Sequence, residues 1–335
     1  MSKVAVCVPN GHVTKWYQLL MYSLKKHKND VDFDIFVGNT WPEHPSRRVV
    51  EETDLADNVT FIDCKMRKHS HATALDEILD VIQDDPQYKY MMAVETDAMA
   101  CRDGWLDWFV SQMKDDSIAM AGFFWHEGNM HYNINPSGTL YNINIIKKYH
   151  QEARDNDEGI FYHPKGNKID TDGGMDPSIK NVVGAFAETR GIKNPTQVQV
   201  DVMLKGCSPH VSWWEPGAWL YCKTVGEYGA VAVHCDHIYT SYAGHKAPEG
   251  TYYGGKVNPQ YIHFWGGTRC YDFLKHPVND NFVKSCAPLW IKREDTIWKQ
   301  NVPERYRKKV HEVNKNIDLE NKMRENLGIW VPEAL

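Results

Sequence analysis

The chain has 335 residues and a mass of 38.7 kDa, which fits one enlarged α/β domain or a core with a small appendage. Its formal charge of −6 and its pI of about 6.2 argue against a protein whose main task is to wrap nucleic acid, although they allow a local basic patch. No run approaches the roughly 18 apolar residues of a membrane-spanning helix. Residues 1–12 lack the apolar stretch of a secretory signal peptide.

The eight cysteines are scattered along the chain and form no CxxC pair. This spacing favours reduced thiols over a disulfide framework or a zinc knuckle. We therefore expect a cytoplasmic protein, in the host cytoplasm if the chain is viral.

The first 125 residues alternate between strand and helix patterns. Short apolar or β-branched runs predict strands at 3–9, 33–40, 58–64, 88–94 and 118–125. Apolar residues at helical spacing predict helices at 14–27, 71–85 and 103–116. This alternation predicts an α/β fold with a Rossmann-like, mostly parallel sheet sandwiched by helices.

The rest of the chain is less regular. Residues 126–210 are polar, rich in Gly and Asn, and weakly periodic. Beyond them, a helix pattern at 215–229 and a strand pattern at 230–237 follow, and residues 261–269 predict a short strand that runs into a Gly-Gly loop. From about 288 the sequence is helical and charged, which predicts a C-terminal helical extension over 288–335.

Polar side chains follow several of the predicted strands. Asn39, Asp63 and Glu95-Thr96-Asp97 all stand at strand ends, which meet at one edge of a parallel sheet. Residues at i and i+2 of a strand share a face, so Glu95 and Asp97 are expected to point into the same crevice. Two close carboxylates repel each other unless a divalent cation lies between them, and oxygen ligands suit Mg²⁺ or Mn²⁺.

Four segments of the first half carry a resemblance to a known family. They are "VAVCVPN", "FVGNT", "HSHATALDEIL" and "MMAVETD", in this order. They resemble the GT-A-fold glycosyltransferases, especially the family-2-like ones, whose DxD-type motif follows an apolar strand. Asp97 matches the position in that motif that meets the metal, while Glu95 replaces the first Asp.

The second half adds weaker matches to the same family. "WWEPGAWLY" offers Glu215 as the catalytic base at a helix start, with Asp170, Asp172 and Asp201 as alternatives. "YIHFWGGTR" offers His263 as a metal ligand, and its glycines allow close backbone approach to a diphosphate. Charged contacts could come from Arg269 or Lys256, and "INPSGTLYNINIIKK" resembles the acceptor-side segment.

The resemblance implies a metal-dependent glycosyltransferase that moves a hexose or pentose from a nucleoside-diphosphate sugar to a hydroxyl acceptor. An inverting reaction is the expected one, and a retaining reaction, which needs no catalytic base, stays open as the alternative. It implies Mn²⁺ or Mg²⁺ held by Asp97, His263 and Glu95, and catalysis by Glu215. It also implies a catalytic domain over 1–287, with a nucleotide-sugar half at 1–125 and an acceptor half at 126–287. The donor-binding residues that it implies are Pro9, Asn39, Asp63, His71, Glu95, Thr96, Gly266, Gly267 and Arg269.

Three alternatives remain open at the level of the sequence. A glycan is the expected acceptor, but a cationic cluster at Arg305, Arg307, Lys308 and Lys309 would also suit DNA that carries a hydroxylated base. The irregular ETD and EPG motifs would suit a non-catalytic protein that binds nucleotide sugars or glycans. The segment 233–245, which contains His234, Asp236, His237 and His245, would suit a metal-dependent hydrolase, although its spacing matches no zinc pattern.

Overall fold

The computed structural model describes residues 2–10, 14–40, 58–65, 71–124, 134–154, 159–161, 217–221, 224–225, 229–236, 238–246, 252–264 and 294–308. The strands in these ranges are β1 (Lys3–Asn10), β2 (Phe33–Asn39), β3 (Val59–Asp63), β4 (Tyr88–Ala93), β5 (Ala98–Ala100), β6 (Ile118–Phe124), β7 (Ile134–Asn142), β8 (Val231–Cys235), β9 (Ile238–Lys246), β10 (Tyr252–Val257) and β11 (Tyr261–His263). The helices are α1 (Thr14–Lys26), α2 (His71–Ile82), α3 (Trp105–Gln112), α4 (Ile143–Arg154), α5 (Ala218–Tyr221), α6 (294–301) and α7 (304–308).

The larger sheet has seven strands in the order β3-β2-β1-β4-β7-β6-β8. Every strand runs parallel to the others except β7, which is antiparallel to both of its neighbours. The predicted α/β class with a mostly parallel sheet is therefore confirmed. Because the chain passes from β1 outward to β3 and then returns to β4 on the other side, the strand order reverses between β1 and β4, and such a point is where open α/β sheets bind ligands.

Helices cover both faces of this sheet. Successive residues of β1 alternate between the faces, so Val4, Val6 and Val8 join the core under α1 and α3, whereas Ala5 and Cys7 join the core under α2 and α4. All five side chains are fully buried. A central strand that is apolar on both faces is what a parallel sheet between two helix layers requires.

A second, smaller sheet has the order β5-β11-β10-β9 and was not predicted from the sequence. All of its pairings are antiparallel. Its strand β5 follows β4 after only four residues, so the chain leaves the larger sheet and enters the smaller one at Val94–Asp97. The predicted strand at 261–269 begins as expected and covers Tyr261–His263 within the described residues.

The C-terminal segment is helical where it is described, at 294–301 and 304–308. It packs against α1: the Trp298 indole donates a hydrogen bond to the Gln18 side-chain oxygen at 2.6 Å, and Gln18 in turn donates to the Tyr306 carbonyl at 3.0 Å. Trp298 shares a buried cluster with Trp16 and Phe264, whose rings lie 4.9 Å apart.

The cysteines that the structure describes, at positions 7, 64, 101 and 235, form no disulfide bond. Burial raises the pKa of Cys64, Cys101 and Cys235 to about 12, so these thiols stay protonated and serve as packing groups. None of the described helices has the length and apolar character needed to cross a membrane.

Candidate metal centre

The carboxyl ends of β1, β2 and β3 carry a row of polar residues. The strand register places Asn10 beside Asn39, and Asn39 beside Asp63. Asn10 and Asn39 are buried, whereas Asp63 is exposed. Sequence reasoning predicted Asn39 and Asp63 at one sheet edge, and they lie there; it missed Asn10, whose signal is a polar residue directly after Pro9 at the end of an apolar strand.

Asn39 has an unusual environment for a buried amide. Its side chain has no solvent exposure, and neither its oxygen nor its nitrogen finds a hydrogen-bond partner among the described residues. Burying an amide without partners is unfavourable, and most such groups in proteins are satisfied. The position is therefore suited to a polar ligand at this edge.

Glu95 and Asp97 lie in a turn, not on a strand. Strand β4 ends at Ala93, and Thr96 and Asp97 form the turn that leads into β5. The expectation that strand alternation aligns the two carboxylates is therefore wrong. They come together because the chain turns there from one sheet into the other, with the Val94 amide still donating to the Cys7 carbonyl at 3.0 Å.

The smaller sheet brings His263 to this turn. Strands β5 and β11 pair so that Ala98 lies opposite His263. The Phe264 amide extends this pairing by donating to the Asp97 carbonyl at 2.7 Å. Backbone hydrogen bonds thus join the turn after β4 and strand β5 to strand β11, which is far away in the chain.

The three side chains form one compact cluster. The His263 Nε2 atom lies 2.9 Å from the Glu95 Oε2 atom and 3.4 Å from the Asp97 Oδ1 atom. His263 and Asp97 are buried, and 21% of the Glu95 side chain is exposed. Among the described residues, this is the one group of His, Cys, Asp and Glu side chains that offers three ligand atoms to a single ion, all within 4.8 Å of one another.

The charge on His263 reflects this arrangement. Burial lowers its pKa, but the charges of Glu95 and Asp97 and contacts with both carboxylates raise it more strongly, to about 9. In the absence of a cation, a proton on the imidazole balances part of the charge of the two carboxylates. A metal ion that binds here would displace that proton, as is usual for histidine ligands.

The donor set fits a divalent metal ion. Neither ring nitrogen of His263 has a hydrogen-bond partner with good geometry within the described part of the chain, although the ring is buried. Two carboxylates suit Mg²⁺ or Mn²⁺, and the imidazole favours a transition-metal ion. Mn²⁺ satisfies both preferences.

Two hydroxyl residues that sequence reasoning missed lie next to the cluster. Ser137 accepts a hydrogen bond from the Glu95 amide at 3.3 Å, and the Tyr261 hydroxyl lies 2.9 Å from the Ser137 oxygen. Burial raises the pKa of Tyr261 well above its usual value, whereas hydrogen bonds from Ser137 and the Glu95 backbone act in the opposite direction. No sequence signal marks Ser137 or Tyr261, because their roles arise from pairing between distant strands.

For the other residues predicted to bind the nucleotide sugar, the structure gives mainly their positions on the strands, helices and turns. Pro9 is buried in β1 opposite Gly38, and Thr96 is buried in the turn between the two candidate ligands. His71 is the first residue of α2, and the register of β10 sets Lys256 opposite His263. The predicted residues outside the described part of the chain are Glu215, Gly266, Gly267, Arg269 and the alternative bases Asp170, Asp172 and Asp201.

The structure also describes parts of the two segments that suggested a metal-dependent hydrolase (233–245) and a DNA acceptor (the basic cluster at 305–309). Residues 233–245 pass from β8 of the larger sheet to β9 of the smaller one, so they do not form one continuous strand. In the basic cluster, the Arg307 guanidinium lies over the Trp298 ring at 5.8 Å, and Lys308 pairs with Glu304 at 3.2 Å. Lys309 lies outside the described residues.

Comparison with known proteins gives structural similarity only. No protein-family model matches the chain, and no curated protein matches it. TarS 1–349 of S. aureus in complex with UDP-GlcNAc is 12% identical, with 61% of this chain and 71% of that chain covered and a TM-score of 0.37. The mannosyltransferase PcManGT of Pyrobaculum calidifontis, in complex with GDP-Man and Mn²⁺, is 12% identical over 55% of this chain and 52% of its own, with a TM-score of 0.37.

The glycosyltransferase GlyE of Streptococcus pneumoniae is 17% identical, with 47% of this chain and 38% of that chain covered and a TM-score of 0.33. Two of these three proteins are glycosyltransferases by name, and the third was determined with a nucleotide sugar. Because the similarities are distant, we base the proposal below on the strand order and on the side chains at the sheet edge.

Proposed function

We propose that the chain is a metal-dependent glycosyltransferase that moves a sugar from a nucleoside-diphosphate sugar to a hydroxyl acceptor. The observation that carries this proposal is the convergence of Glu95, Asp97 and His263 within 4.8 Å, next to the point where the strand order reverses. Ligands of open α/β sheets bind at this point. A hard-ligand metal site there suits a substrate that carries a diphosphate.

Each residue of the cluster has a proposed part. Asp97 and His263 would hold the ion from the buried side, and Glu95 would complete the set from the more exposed side. A bound divalent cation would stabilise the negative charge of the leaving diphosphate as a Lewis acid. On the same edge, the amide of Asn39 and the side chain of Asn10 would bind polar groups of the nucleoside.

Glu215 is the proposed base of an inverting reaction, in which it takes the proton of the attacking hydroxyl. The described residues begin again just after it, at Gly217. The Gly217 amide donates to the Phe161 carbonyl at 3.0 Å, and α5 follows at Ala218–Tyr221. This contact ties the start of α5 to the segment 159–161, whose amides bind Asp76 of α2.

Several finer points belong to the same proposal. We propose Mn²⁺ as the working ion, with Mg²⁺ as its substitute, and a hexose or pentose as the transferred sugar. The acceptor is proposed to be a glycan or another polymer with hydroxyl groups, and the site of action the cytoplasm. We also propose the division into a catalytic domain at 1–287 and a helical extension at 288–335, as the sequence pattern and the family resemblance imply.

The test is donor turnover by the Asp97→Asn variant. UDP, GDP, CDP and dTDP sugars are supplied with Mn²⁺, first without an acceptor and then with a library of hydroxyl acceptors. We expect turnover of one donor by the wild type, abolished by chelation. In Asp97→Asn we expect a loss of at least roughly 10- to 100-fold, the loss typical of even an outer-shell partner of a metal ligand.

The matched control is Asp116→Asn, because Asp116 is an exposed carboxylate that pairs with Lys89. This variant should keep wild-type turnover. Undiminished turnover in Asp97→Asn would contradict the metal role of Asp97. Tight donor binding by the wild type without turnover against any acceptor would instead indicate a non-catalytic nucleotide-sugar-binding protein.

A further inference from the structure

Two buried hydroxyl groups, those of Ser137 and Tyr261, lie next to the backbone amide of Glu95. The Ser137 oxygen accepts a hydrogen bond from the Glu95 amide at 3.3 Å and lies 2.9 Å from the Tyr261 hydroxyl. Ser137 and Tyr261 are both completely buried. A polar pair in a dry environment makes stronger hydrogen bonds than one in water, so losing one member weakens the network around the Glu95 amide.

The pair joins three separate parts of the fold. Ser137 belongs to β7 of the larger sheet, and Tyr261 belongs to β11 of the smaller sheet, two residues before His263. Glu95 lies in the turn that connects the two sheets. The hydroxyl pair is therefore positioned to fix the turn relative to both sheets.

Gly138 allows the Tyr261 ring to lie close to the backbone of β7 next to Ser137. Its φ is +80°, and a Cβ atom at this position would lie 2.9 Å from the rings of both Phe123 and Tyr261. A larger residue would strain the backbone and push the Tyr261 ring away from Ser137.

The Tyr261 ring itself is held firmly. Its centroid lies 6.0 Å from that of Phe123, 6.2 Å from that of Phe109 and 6.4 Å from that of Trp105. Because these aromatic contacts do not involve the hydroxyl, removing the oxygen alone should leave the ring in place. Tyr261→Phe is therefore a clean probe of the hydroxyl.

We propose that Ser137 and Tyr261 are positioning residues that hold the Glu95 carboxylate against the cation shared with Asp97 and His263. This inference rests on the proposed function. Glu95 is the most exposed of the three candidate ligands, and it lies on a turn outside both sheets. Asp97 lies in the same turn but is also fixed by the Phe264 amide, which donates to its carbonyl at 2.7 Å, so Glu95 depends more on the groups that bind its own amide.

The test compares two Tyr→Phe variants by Mn²⁺ affinity, measured from the electron paramagnetic resonance signal of free Mn²⁺. Tyr261→Phe should bind Mn²⁺ about 10-fold more weakly than the wild type, the low end of the effect of outer-shell partners. The control is Tyr141→Phe, which removes a buried hydroxyl bonded to Thr139 in the other core cluster. It should keep wild-type affinity.

A double-mutant comparison separates positioning of Glu95 from a general structural effect. In a Glu95→Ala background, Asp97 and His263 remain to hold the ion, and Tyr261→Phe should have no further effect on Mn²⁺ affinity. Ser137→Ala removes the other hydroxyl and should behave in the same way, which provides an independent reading if Tyr261→Phe folds poorly.

The outcomes distinguish this inference from the proposed function. Equal weakening by Tyr261→Phe with and without Glu95, or no weakening while the wild type binds Mn²⁺, would overturn the positioning role and leave the metal site intact. Failure of the wild type to bind Mn²⁺ would instead contradict the proposed function and, with it, this inference.

Discussion

Gly38 shows how a single residue shapes the proposed donor edge. It stands just before Asn39 at the end of β2, and a Cβ atom there would lie 2.9 Å from the Ala74 Cβ atom and 3.1 Å from the Ala74 carbonyl oxygen of α2. The helix therefore rests directly on the backbone of the strand. Apolar periodicity predicts the helix, but its close approach to the strand depends on the register of β2.

We predict that Gly38→Ala destabilises the protein by about 1–3 kcal/mol, the usual cost of adding a methyl group to a packed core. The extra carbon must push α2 away from β2, since one of its neighbours is a backbone oxygen. Urea unfolding measures the change as a lower midpoint with an unchanged slope. An unchanged midpoint would show that the helix can shift freely.

At the residue scale, the sequence indicated which side chains could bind a metal but not how they meet. Glu95, Asp97 and His263 are residue types with evident ligand chemistry, and the apolar strand before the first two marks them as a sheet-edge motif. Ser137 and Tyr261 have no such mark. The antiparallel pairing of β7 with β4 places Ser137 next to the turn after β4, and β11 brings Tyr261 to it.

At the element scale, a buried charged network joins α2, α4 and the segment 159–161. The Asp76 carboxylate accepts hydrogen bonds from the amides of Ile160 at 2.9 Å and Phe161 at 3.2 Å. On α4, His150 faces it at 3.7 Å and contacts Asp80 at 2.6 Å, and Arg154 donates to Asp80 at 3.0 Å. These contacts position the segment 159–161, which lies within the half of the chain (126–287) predicted to bind the acceptor.

We predict that Asp76 makes stability depend on pH. Burial raises its pKa to about 6, while His150 and the two backbone amides oppose that rise. Because the folded pKa lies above the unfolded value, folding favours the protonated form, and this stabilisation is lost as the pH rises from about 4 through about 6. The shift of roughly two pKa units corresponds to about 3 kcal/mol.

The Asp76→Asn variant tests this effect, because an amide oxygen still accepts both backbone hydrogen bonds but does not ionise. The free energy of unfolding of both proteins is measured between pH 4 and pH 7. The variant should gain about 3 kcal/mol relative to the wild type over this range. All other groups titrate in both proteins, so a constant difference would contradict the assigned pKa.

The smaller sheet marks where prediction from sequence stops at this scale. Strand β5 is the three-residue segment Ala98–Ala100, which is too short to give a strand pattern of its own. It exists because β11 pairs with it from far along the chain. Long, buried strands such as β1 and β2 were predictable because their apolar runs reflect burial on both faces.

At the scale of the whole molecule, the C-terminal helices pack next to the segment that carries His263 of the candidate site. Lys15 on α1 pairs with Asp295 at 3.0 Å, and Trp298 lies in the same buried cluster as Phe264, which directly follows His263. Sequence periodicity predicted helices here but not their partner. Burial of a Trp side chain against α1 is the kind of contact that makes such a segment part of one cooperative unit.

Glu95 and Asp97 are proposed to share one metal ion with His263, which lies far from them along the chain. Electron spin-echo envelope modulation of Mn²⁺, added at less than one equivalent to the wild type and to His263→Gln, tests this claim directly. We expect nitrogen modulation from one imidazole in the wild type and its loss in the variant. Mn²⁺ bound to the wild type without nitrogen modulation, or modulation that persists in His263→Gln, would contradict it.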